Sequence, residues 1–345
     1  MNNQINTEVG GRETSYLAVP EVSVIMPTYN CLQYLPRAVE SVLSQQNIKL
    51  ELLIVDDGSD DGSDQWLAKL AQKDSRVRVL KGRHEGVSAA RNIAIQQARA
   101  ELVAFLDADD YWYADKLKQQ VTLHQQKPDL VLSFTDYDHF SEQDEDLGTC
   151  FHFWPRFHEL LARTATKETK RKAEAKSREL TEDSSRIAVL SGKEKTSIYE
   201  ENVIGTSTVV VRRRVLQNAK GFDEALHSAS DWDLWLKLLK QGDFAAINQP
   251  LMGYLVRKNS ISRNVEKRLA SFEAIVLRYK QPMLALNKSC YGPAAARLQL
   301  AWAECWQQQK GGYWKAIRAY LLACYRLPTV RNLKAFLSHL VKGYR

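Results

Sequence analysis

The sequence predicts an α/β fold in which a mostly parallel sheet is flanked by helices and followed by an all-helical C-terminal region. Short apolar runs alternate with amphipathic stretches over the first 112 residues, which is typical of βαβ units. Polar or acidic clusters follow several of these runs, as expected at the carboxyl edge of an open sheet. Beyond residue 264 the apolar residues recur at helical spacing.

Each predicted element follows from the spacing of its apolar residues and from the residues that end it. In chain order these elements are strand 22–26, helix 32–43, strand 50–55, helix 64–73, strand 76–80, helix 86–98, strand 101–106, strand 204–211 and helix 232–239. Pro27 ends the first strand, and the turn that begins at Asp56 ends the second.

Charge divides the chain of 345 residues into unlike parts. Residues 265–345 carry 14 Lys and Arg against 3 Asp and Glu, a net charge of +11 that leaves −4 for the rest of a chain whose total is +7. The stretch 156–186 is dense in Lys, Arg and Glu, so we expect an exposed helix or a mobile insertion there. The predicted parts are a disordered tail 1–19, a main domain 20–262 with halves 20–112 and 113–262, and a basic helical region 263–345.

Composition also excludes several classes of protein. The five cysteines are odd in number and widely spaced without a CxxC pair, which argues against a disulfide framework or a zinc site and favours a reducing cytoplasm. No apolar stretch approaches the ~18 to 20 residues that span a bilayer. The polar N-terminus has no apolar core of a signal peptide. We therefore expect a cytoplasmic protein.

The apolar run 102–106 leads directly into three carboxylates, Asp107, Asp109 and Asp110. Clustered carboxylates at a strand end repel one another unless a cation lies among them, and hard oxygen ligands suit Mg²⁺ or Mn²⁺ with a phosphate completing the shell. The alternative is an acidic N-cap, in which Asp109 or Asp110 caps a helix that begins near Tyr111.

Three further segments carry candidate binding residues. Pro27-Thr-Tyr-Asn30 places an aromatic ring that can stack on a base, and Asn30 can cap the next helix. The second carboxylate of the turn after the second strand, Asp57, can accept hydrogen bonds from a base or a ribose, although a tight turn alone also explains that segment. Arg91 lies near the start of the predicted helix 86–98, among small residues, and can pair with a phosphate or an acidic loop.

Together these segments resemble the family 2 glycosyltransferases, whose fold is the GT-A type with a Rossmann-like sheet. The matching strings are VSVIMPTYN, LLIVDDGSDDGS, GVSAARNIAI and LVAFLDADD, followed by GFDEAL at 221–226 and SDWDLWL at 230–236. The resemblance spans roughly residues 20 to 262. It implies non-processive transfer of one sugar, because the Gln-x-x-Arg-Trp motif and the transmembrane helices of processive synthases are absent from this sequence.

The resemblance also implies roles for single residues on the donor side. Pro27, Tyr29 and Asp57 would hold the nucleotide base of the donor, and Arg91 would lie near the base and the diphosphate. Asp107 would reach the ribose or a metal-bound water.

A metal ligand and a base follow from the same resemblance. Asp109 would ligate the divalent cation, Mg²⁺ or Mn²⁺. Of the three carboxylates, Asp110 is then the one left to serve only as a cap. Asp231 would be the general base of an inverting displacement.

The sequence departs from the family pattern at two places. Ser230 precedes Asp231 where relatives carry glutamate. Asp233 is a second candidate for the general base, and helix capping is the alternative role for it. Arg257 stands where relatives often have a histidine near the metal or diphosphate. Arginine does not ligate metals but can pair bidentately with a phosphate; an exposed strand-end arginine is the alternative.

The expected partners are a UDP-, GDP- or dTDP-sugar donor and a glycan or lipid-linked acceptor in cell-surface polysaccharide, lipopolysaccharide or glycoconjugate synthesis. The basic C-terminal helices could contact the inner face of the cell membrane, or only cover the core or a second copy. No nucleic-acid reader motif is present. The rival hypotheses are an inactive sugar- or partner-binding module and a nucleotide-sugar nucleotidyltransferase.

Overall fold

The fold is described here from a computed structural model, which covers residues 19–174, 186–226, 228–257 and 265–342. The predicted tail 1–19 lies outside the described residues except for Val19, and so do residues 175–185 of the predicted insertion 156–186.

Within the described residues, ten strands form one sheet. Their bounds are β1 Val22–Thr28, β2 Leu50–Asp56, β3 Val77–Lys81, β4 Leu102–Phe105, β5 Tyr111–Trp112, β6 Leu130–Ser141, β7 Asp146–Thr149, β8 Ile187–Leu190, β9 Val210–Arg212 and β10 Asp243–Val256. The main path runs β3-β2-β1-β4-β9-β6-β10-β5, with β7 beside β6 and β8 beside β10.

Helices flank this sheet and continue beyond it. Their bounds are α1 Leu35–Leu43, α2 Ser63–Lys73, α3 Val87–Gln97, α4 Lys116–Gln126, α5 Pro155–Glu174, α6 Ser197–Glu200, α7 Arg213–Asn218, α8 Ser230–Leu238, α9 Val265–Leu286, α10 Tyr291–Gln307, α11 Tyr313–Arg326 and α12 Val330–Lys342. None of the described helices is both long and apolar enough to cross a bilayer.

The predicted mostly parallel sheet is confirmed. Strands β1 to β4 pair in parallel, as consecutive βαβ units require, and β6 pairs with β10 in parallel. The reversed strand β9 lies between β4 and β6, antiparallel to both, and joins the two predicted halves in one continuous sheet.

Two element predictions were inaccurate. The strand expected over 204–211 is shorter, because Thr206–Thr208 form a 3₁₀ turn before β9 begins at Val210. The helix expected near Tyr111 is absent from that place: a short strand, β5, follows the carboxylates, and α4 begins at Lys116.

The charged segment 156–186 begins as a helix whose first turns are packed. Phe157 and Leu161 of α5 are buried in the main hydrophobic core beside Phe134 and Phe151. The expectation of an exposed helix is therefore wrong for these first two turns, because their apolar side chains cover the β6 face of the sheet.

The C-terminal helices differ in how they contact the main domain. Ile275, Tyr279 and Met283 of α9 belong to the same buried cluster as the sheet. By contrast α11 and α12 share a small separate cluster with the end of α10, centred on Ala316 and Tyr320. The region predicted as 263–345 thus begins as part of the core and ends as an outlying helical layer.

Candidate active site

The loops after β1 and β2 hold each other in place at the carboxyl edge of the sheet. The backbone N–H of Asn30 donates to Ser59 Oγ at 3.0 Å, and Asn30 Oδ1 accepts from the N–H of Asp60 at 2.9 Å. Asn30 does not cap α1, whose N-cap is Tyr34. The capping prediction for Asn30 is wrong because its amide is engaged across the sheet edge, thirty residues away in sequence.

Two of the predicted base-binding residues lie on this edge. Pro27 pairs in register with Val55 inside the sheet, which fixes the start of the loop. Tyr29 follows it with 49% of its surface exposed and its ring edge-on to His84 at 5.1 Å. An exposed aromatic face at a strand end is available for stacking.

Asp57 is buried and organises the segment that leads into α3. Its Oδ1 accepts from the N–H of His84 and its Oδ2 from the N–H of Gly86, each at 2.8 Å. The turn itself is formed by Asp56, whose Oδ1 accepts from both the N–H and Oγ of Ser59. The sequence left open whether this segment is only a tight turn or carries a binding carboxylate. Asp56 makes the turn, and Asp57 faces the loop before α3.

Arg91 enters the site from the first turns of α3. Its side chain is buried, and its Nη2 lies 2.5 Å from Asp107 Oδ1. Its Nε has no hydrogen-bond partner among the residues that the structure describes. A buried guanidinium with one unpaired N–H can accept an additional anion such as a phosphate oxygen.

The three carboxylates after β4 have different environments. The Asp107 backbone N–H donates to Ser207 Oγ at 3.0 Å, and that hydroxyl donates to Asp110 Oδ2 at 2.6 Å. Asp110 also accepts from the N–H of Leu255 on β10. Burial and then the charges of Asp109 and Asp107 raise the pKa of Asp110 well above its ordinary value.

The capping role predicted for Asp110 is therefore wrong. No helix begins beside it, and its oxygens instead join the 3₁₀ turn before β9 to the end of β10. Both partners come from distant parts of the chain, so local spacing gave no sign of them.

Asp109 is paired with Arg257. The guanidinium Nη2 lies 2.6 Å from Asp109 Oδ2, and both side chains are largely buried. Burial and the charge of Asp107 raise the pKa of Asp109, while the charge of Arg257 opposes this rise. The sequence had pointed Arg257 towards a phosphate or solvent, and neither alternative included this contact.

Asp231 lies in the first turn of α8, close to the Arg91–Asp107 pair. Its Oδ2 accepts from Thr206 Oγ1 at 3.1 Å and its Oδ1 from the N–H of Trp232 at 2.8 Å. Burial raises the pKa of Asp231 above its ordinary value, although the charge of Arg91 acts to lower it. A carboxylate with a raised pKa is a stronger base than an ordinary aspartate.

The first turn of α8 is fixed against α3 by hydrogen bonds that the sequence did not predict. Ser88 Oγ donates to Ser230 Oγ at 2.8 Å, and both serines are buried. Asn92 Nδ2 donates to the carbonyl of Phe222, and the N–H of Phe222 donates back to Asn92 Oδ1. Gly221 has φ +67°, and a Cβ there would collide with Asn92 Oδ1, so only glycine permits this approach.

Asp233 has no access to a substrate. It is fully buried, and its oxygens contact Arg278 Nη1 at 2.6 Å, Lys237 Nζ at 2.8 Å and the Tyr279 hydroxyl at 3.0 Å. Its candidacy as the base fails on this geometry. It is not a helix cap either, because the N-cap of α8 is Ala229.

An aromatic surface that the sequence did not predict runs outward from these carboxylates. We call it the aromatic wall; its members are Tyr137, His139, Phe153 and Tyr254. His139 contacts each of the other three, with ring centroids 4.9 Å from Tyr137, 5.6 Å from Tyr254 and 5.7 Å from Phe153. Burial and the charges of Asp110, Asp109 and Asp107 raise the pKa of Tyr254, which places the inner end of the wall beside the carboxylates.

The outer end of the wall is open. Phe153 is 54% exposed, and Tyr137 packs against Gly205, the residue before Thr206. The wall therefore extends from the neighbourhood of Asp231 to solvent. Its residues come from β6, β10 and the 3₁₀ turn Phe151–Phe153. The register of β6 and β10 brings His139 beside Tyr254, and the turn adds Phe153.

Within the described residues, no group of three or more His, Cys, Asp or Glu side chains could hold a metal ion. The site can still accept a cation that arrives with a diphosphate, because Mg²⁺ is commonly held by one or two carboxylates together with substrate phosphates. The carboxylate that the sequence predicts as the metal ligand, Asp109, is paired with Arg257 in this structure.

Comparisons with known proteins agree in the kind of protein they match. A family model described as Glycosyl transferase family 2 matches residues 23–175. The putative teichuronic acid biosynthesis glycosyltransferase TuaG of Bacillus subtilis is 31% identical over 247 residues, which cover 71% of this chain and 82% of that protein. An uncharacterized glycosyltransferase of Rickettsia felis is 39% identical over 123 residues, but this match covers 36% of the chain and only 20% of that longer protein.

Solved structures match over nearly the whole chain. S. aureus TarS 1–349 in complex with UDP-GlcNAc has a TM-score of 0.57 at 16% identity, covering 94% of this chain and 93% of that one. The mannosyltransferase PcManGT of Pyrobaculum calidifontis, in complex with GDP-Man and Mn²⁺, has a TM-score of 0.59 at 17% identity, covering 94% and 81%. These similarities establish the GT-A fold predicted from the sequence.

Proposed function

The chain belongs to glycosyltransferase family 2, and from this membership we propose that it moves one sugar from a nucleotide-diphosphate sugar to an acceptor hydroxyl with inversion at the anomeric carbon. The observation that carries the proposal is the convergence of Arg91, Asp107 and Asp231 at one edge of the sheet. The guanidinium of Arg91, which would stabilise the leaving diphosphate, thus lies near Asp231, which would deprotonate the attacking hydroxyl.

The donor would lie across the ends of β1, β2 and β4. We assign the binding of the nucleotide base to Pro27, Tyr29 and Asp57, which form or line the ends of β1 and β2. Arg91 has a buried N–H without a partner in the described residues, which would bind a diphosphate oxygen. Asp107 lies against Arg91 and would reach the ribose or a metal-bound water. TarS with UDP-GlcNAc and PcManGT with GDP-Man share this fold, which supports a nucleotide-sugar donor of the UDP, GDP or dTDP class.

A divalent cation, Mg²⁺ or Mn²⁺, would supply Lewis-acid stabilisation of the leaving diphosphate, held by Asp109 together with the donor. The support from similar proteins is the Mn²⁺ complex of PcManGT. On the protein side, Arg91 adds a fixed positive charge from a buried position, where it costs little reorganisation during the reaction.

Asp231 would remove the proton from the acceptor hydroxyl as that oxygen attacks the anomeric carbon. The bond from this carbon to the diphosphate oxygen breaks in the same displacement, so one step inverts the centre without a covalent sugar–enzyme intermediate. Thr206 and the Trp232 N–H hold the carboxylate in place, and burial makes it a stronger base.

We assign the acceptor to the aromatic wall. Sugar rings bind aromatic side chains through their apolar faces, and ligand sites combine such surfaces with few polar groups. The wall begins beside the carboxylates and ends at exposed Phe153, as a path for an acceptor glycan requires. The relative TuaG, named for teichuronic acid biosynthesis, supports a cell-surface polysaccharide, lipopolysaccharide or glycoconjugate as the product.

The outer C-terminal helices would contact an anionic membrane surface at the inner face of the cell membrane. Trp314, Leu321 and Tyr325 form one stripe along α11 with 75%, 49% and 80% of their surfaces exposed. No Asp or Glu follows Glu304 in the sequence, whereas eight Lys and Arg do. Apolar side chains among unopposed basic residues suit an interface with anionic lipid.

Direct binding tests the donor proposal. Calorimetry with Mn²⁺ and a panel of UDP-, GDP- and dTDP-sugars should reveal binding of at least one nucleotide class, and Asp57→Ala should weaken it. Binding of none by a folded protein would favour the inactive-module alternative. Formation of the nucleotide-sugar from a nucleoside triphosphate and a sugar phosphate would favour the nucleotidyltransferase instead.

A further inference from the structure

The contact between Arg257 and Asp109 places a positive charge where a metal would need to bind. The guanidinium Nη2 lies 2.6 Å from Asp109 Oδ2, the side chain of Asp109 is 20% exposed, and that of Arg257 is 24% exposed. A carboxylate oxygen at this distance from a guanidinium is already satisfied by a charge-assisted hydrogen bond. A divalent cation and this guanidinium would repel each other at the same oxygen.

Arg257 also has a donor that is available to a second anion. Its Nε is buried and has no hydrogen-bond partner in the described part of the chain. Its guanidinium lies 5.2 Å above the Tyr34 ring, at the start of α1 and close to the loop that would hold the donor base. Arginine forms planar, bidentate pairs with phosphates, so a diphosphate arriving at this edge offers an alternative partner.

We propose that Arg257 covers Asp109 in the donor-free protein and moves onto the donor diphosphate when it binds, so that the cation reaches Asp109 only together with the nucleotide. This rests on the proposed function for the identity of the diphosphate, but the covering of Asp109 does not depend on it. Arg257 would thus bind the donor as well as control the order in which metal and nucleotide bind.

Metal binding without nucleotide tests the covering of Asp109. Mn²⁺ is titrated into nucleotide-free protein, and free Mn²⁺ is measured by its electron paramagnetic resonance signal. The wild type should bind Mn²⁺ weakly, and the Mn²⁺ affinity of Arg257→Ala should be at least roughly tenfold higher. Arg257→Lys should lie between the two, because it keeps the charge but loses the planar fork. The gain should disappear in Arg257→Ala with Asp109→Asn, which identifies the oxygen involved.

A matched control is Arg37→Ala, whose arginine pairs with Asp144 on the surface and lies over Tyr111. It should leave Mn²⁺ binding unchanged. Equal Mn²⁺ affinity of Arg257→Ala and the wild type, with both folded by circular dichroism, would overturn the covering of Asp109.

The second arm measures UDP and GDP binding with Mn²⁺ present. Arg257→Ala should lose roughly tenfold in affinity for the nucleotide that the wild type binds, and an unchanged affinity would overturn the diphosphate contact. If the wild type binds neither nucleotide while Arg257→Ala still gains Mn²⁺ affinity, the proposed function fails and the covering of Asp109 stands.

Discussion

Arg278 of α9 lies 2.6 Å from Asp233, a fully buried carboxylate two residues after Asp231. The contact joins the C-terminal helices to the turn that carries the proposed base. Arg278 also reaches Asp223 at 3.0 Å, so one guanidinium joins α9 to both segments 221–226 and 230–236. Helix α9 thus stabilises the segments on either side of the turn that carries Asp231.

Removal of Arg278 should weaken both folding and catalysis. Arg278→Ala leaves buried Asp233 with Lys237 and Tyr279 alone, and we expect a loss on the order of 1 to 3 kcal/mol in the free energy of unfolding, since 43% of the Arg278 side chain is exposed. Urea denaturation measures this loss. The turnover number should fall while donor affinity is kept, because the donor residues lie on other elements. Exposed Arg318→Ala is the control, and equal behaviour of the two variants would contradict the support role.

The assignment of the base is tested by a pair of aspartates two residues apart. Asp231→Asn should lower turnover by roughly 10²- to 10⁴-fold, the usual contribution of general-base catalysis, with donor binding retained. Asp233→Asn should act mainly through stability, because Asp233 is enclosed by Arg278, Lys237 and Tyr279. Transfer rates at temperatures well below each melting point separate the two effects. Full turnover by a folded Asp231→Asn protein would show that the base lies elsewhere.

The pH dependence of transfer should report the environment of Asp231. Burial raises its pKa, so the carboxyl keeps its proton to a higher pH than the value of about 4 of an ordinary aspartate. The base is lost once protonated; the acid limb of kcat/KM should therefore lie above that value. The Thr206 hydrogen bond lowers this pKa, and Thr206→Val should move the limb to still higher pH. A shift of the limb to lower pH would contradict the assignment.

The sequence predicted the parts of this molecule that depend on neighbouring residues. The βαβ alternation, from the strand at Val22 to the one at Leu102, follows from local apolar spacing, and each of these elements was confirmed within a few residues. The strand ends that carry Asp57 and Asp107 could be placed at one edge for the same reason, because parallel strands share their carboxyl ends.

Contacts between distant segments could not be read from the sequence. The cap expected at Asp110 failed because Ser207, about a hundred residues further on, takes its carboxylate. From the sequence, Asp233 was a second candidate for the general base. The structure excludes it because Arg278 of α9, 45 residues away in sequence, pairs with its carboxylate. The same limit applies to the aromatic wall, whose ring contacts depend on the register between β6 and β10, with its shifts at Pro250 and Gly253.

The aromatic wall should govern acceptor binding without affecting the donor. Phe153→Ala removes its exposed outer ring, and we expect weaker binding of simple sugars with donor affinity unchanged. Saturation-transfer NMR with methyl glycosides of glucose, galactose and N-acetylglucosamine measures this directly. Leu147→Ala, an exposed apolar residue on β7, is the control. Equal signals from the wild type and Phe153→Ala with every glycoside would remove the acceptor from this surface.

The basic outer helices should bind anionic vesicles in a salt-dependent way. Lys315, Arg318 and Lys334 are exposed on α11 and α12, and each basic residue near an anionic surface contributes about 1 kcal/mol at low salt. Their replacement by Gln should strongly weaken sedimentation with phosphatidylglycerol vesicles at low salt, whereas Lys69→Gln with Lys73→Gln on α2 should not.

The apolar stripe of α11 should contribute to the same binding. Trp314→Ser with Tyr325→Ser should weaken the association that remains at high salt, because burial of these rings in the interface is not screened by ions. Phosphatidylcholine vesicles provide the uncharged comparison. Sedimentation that is indifferent to salt, lipid charge and the Lys and Arg replacements would contradict contact with an anionic membrane, because such contact requires all three dependences together.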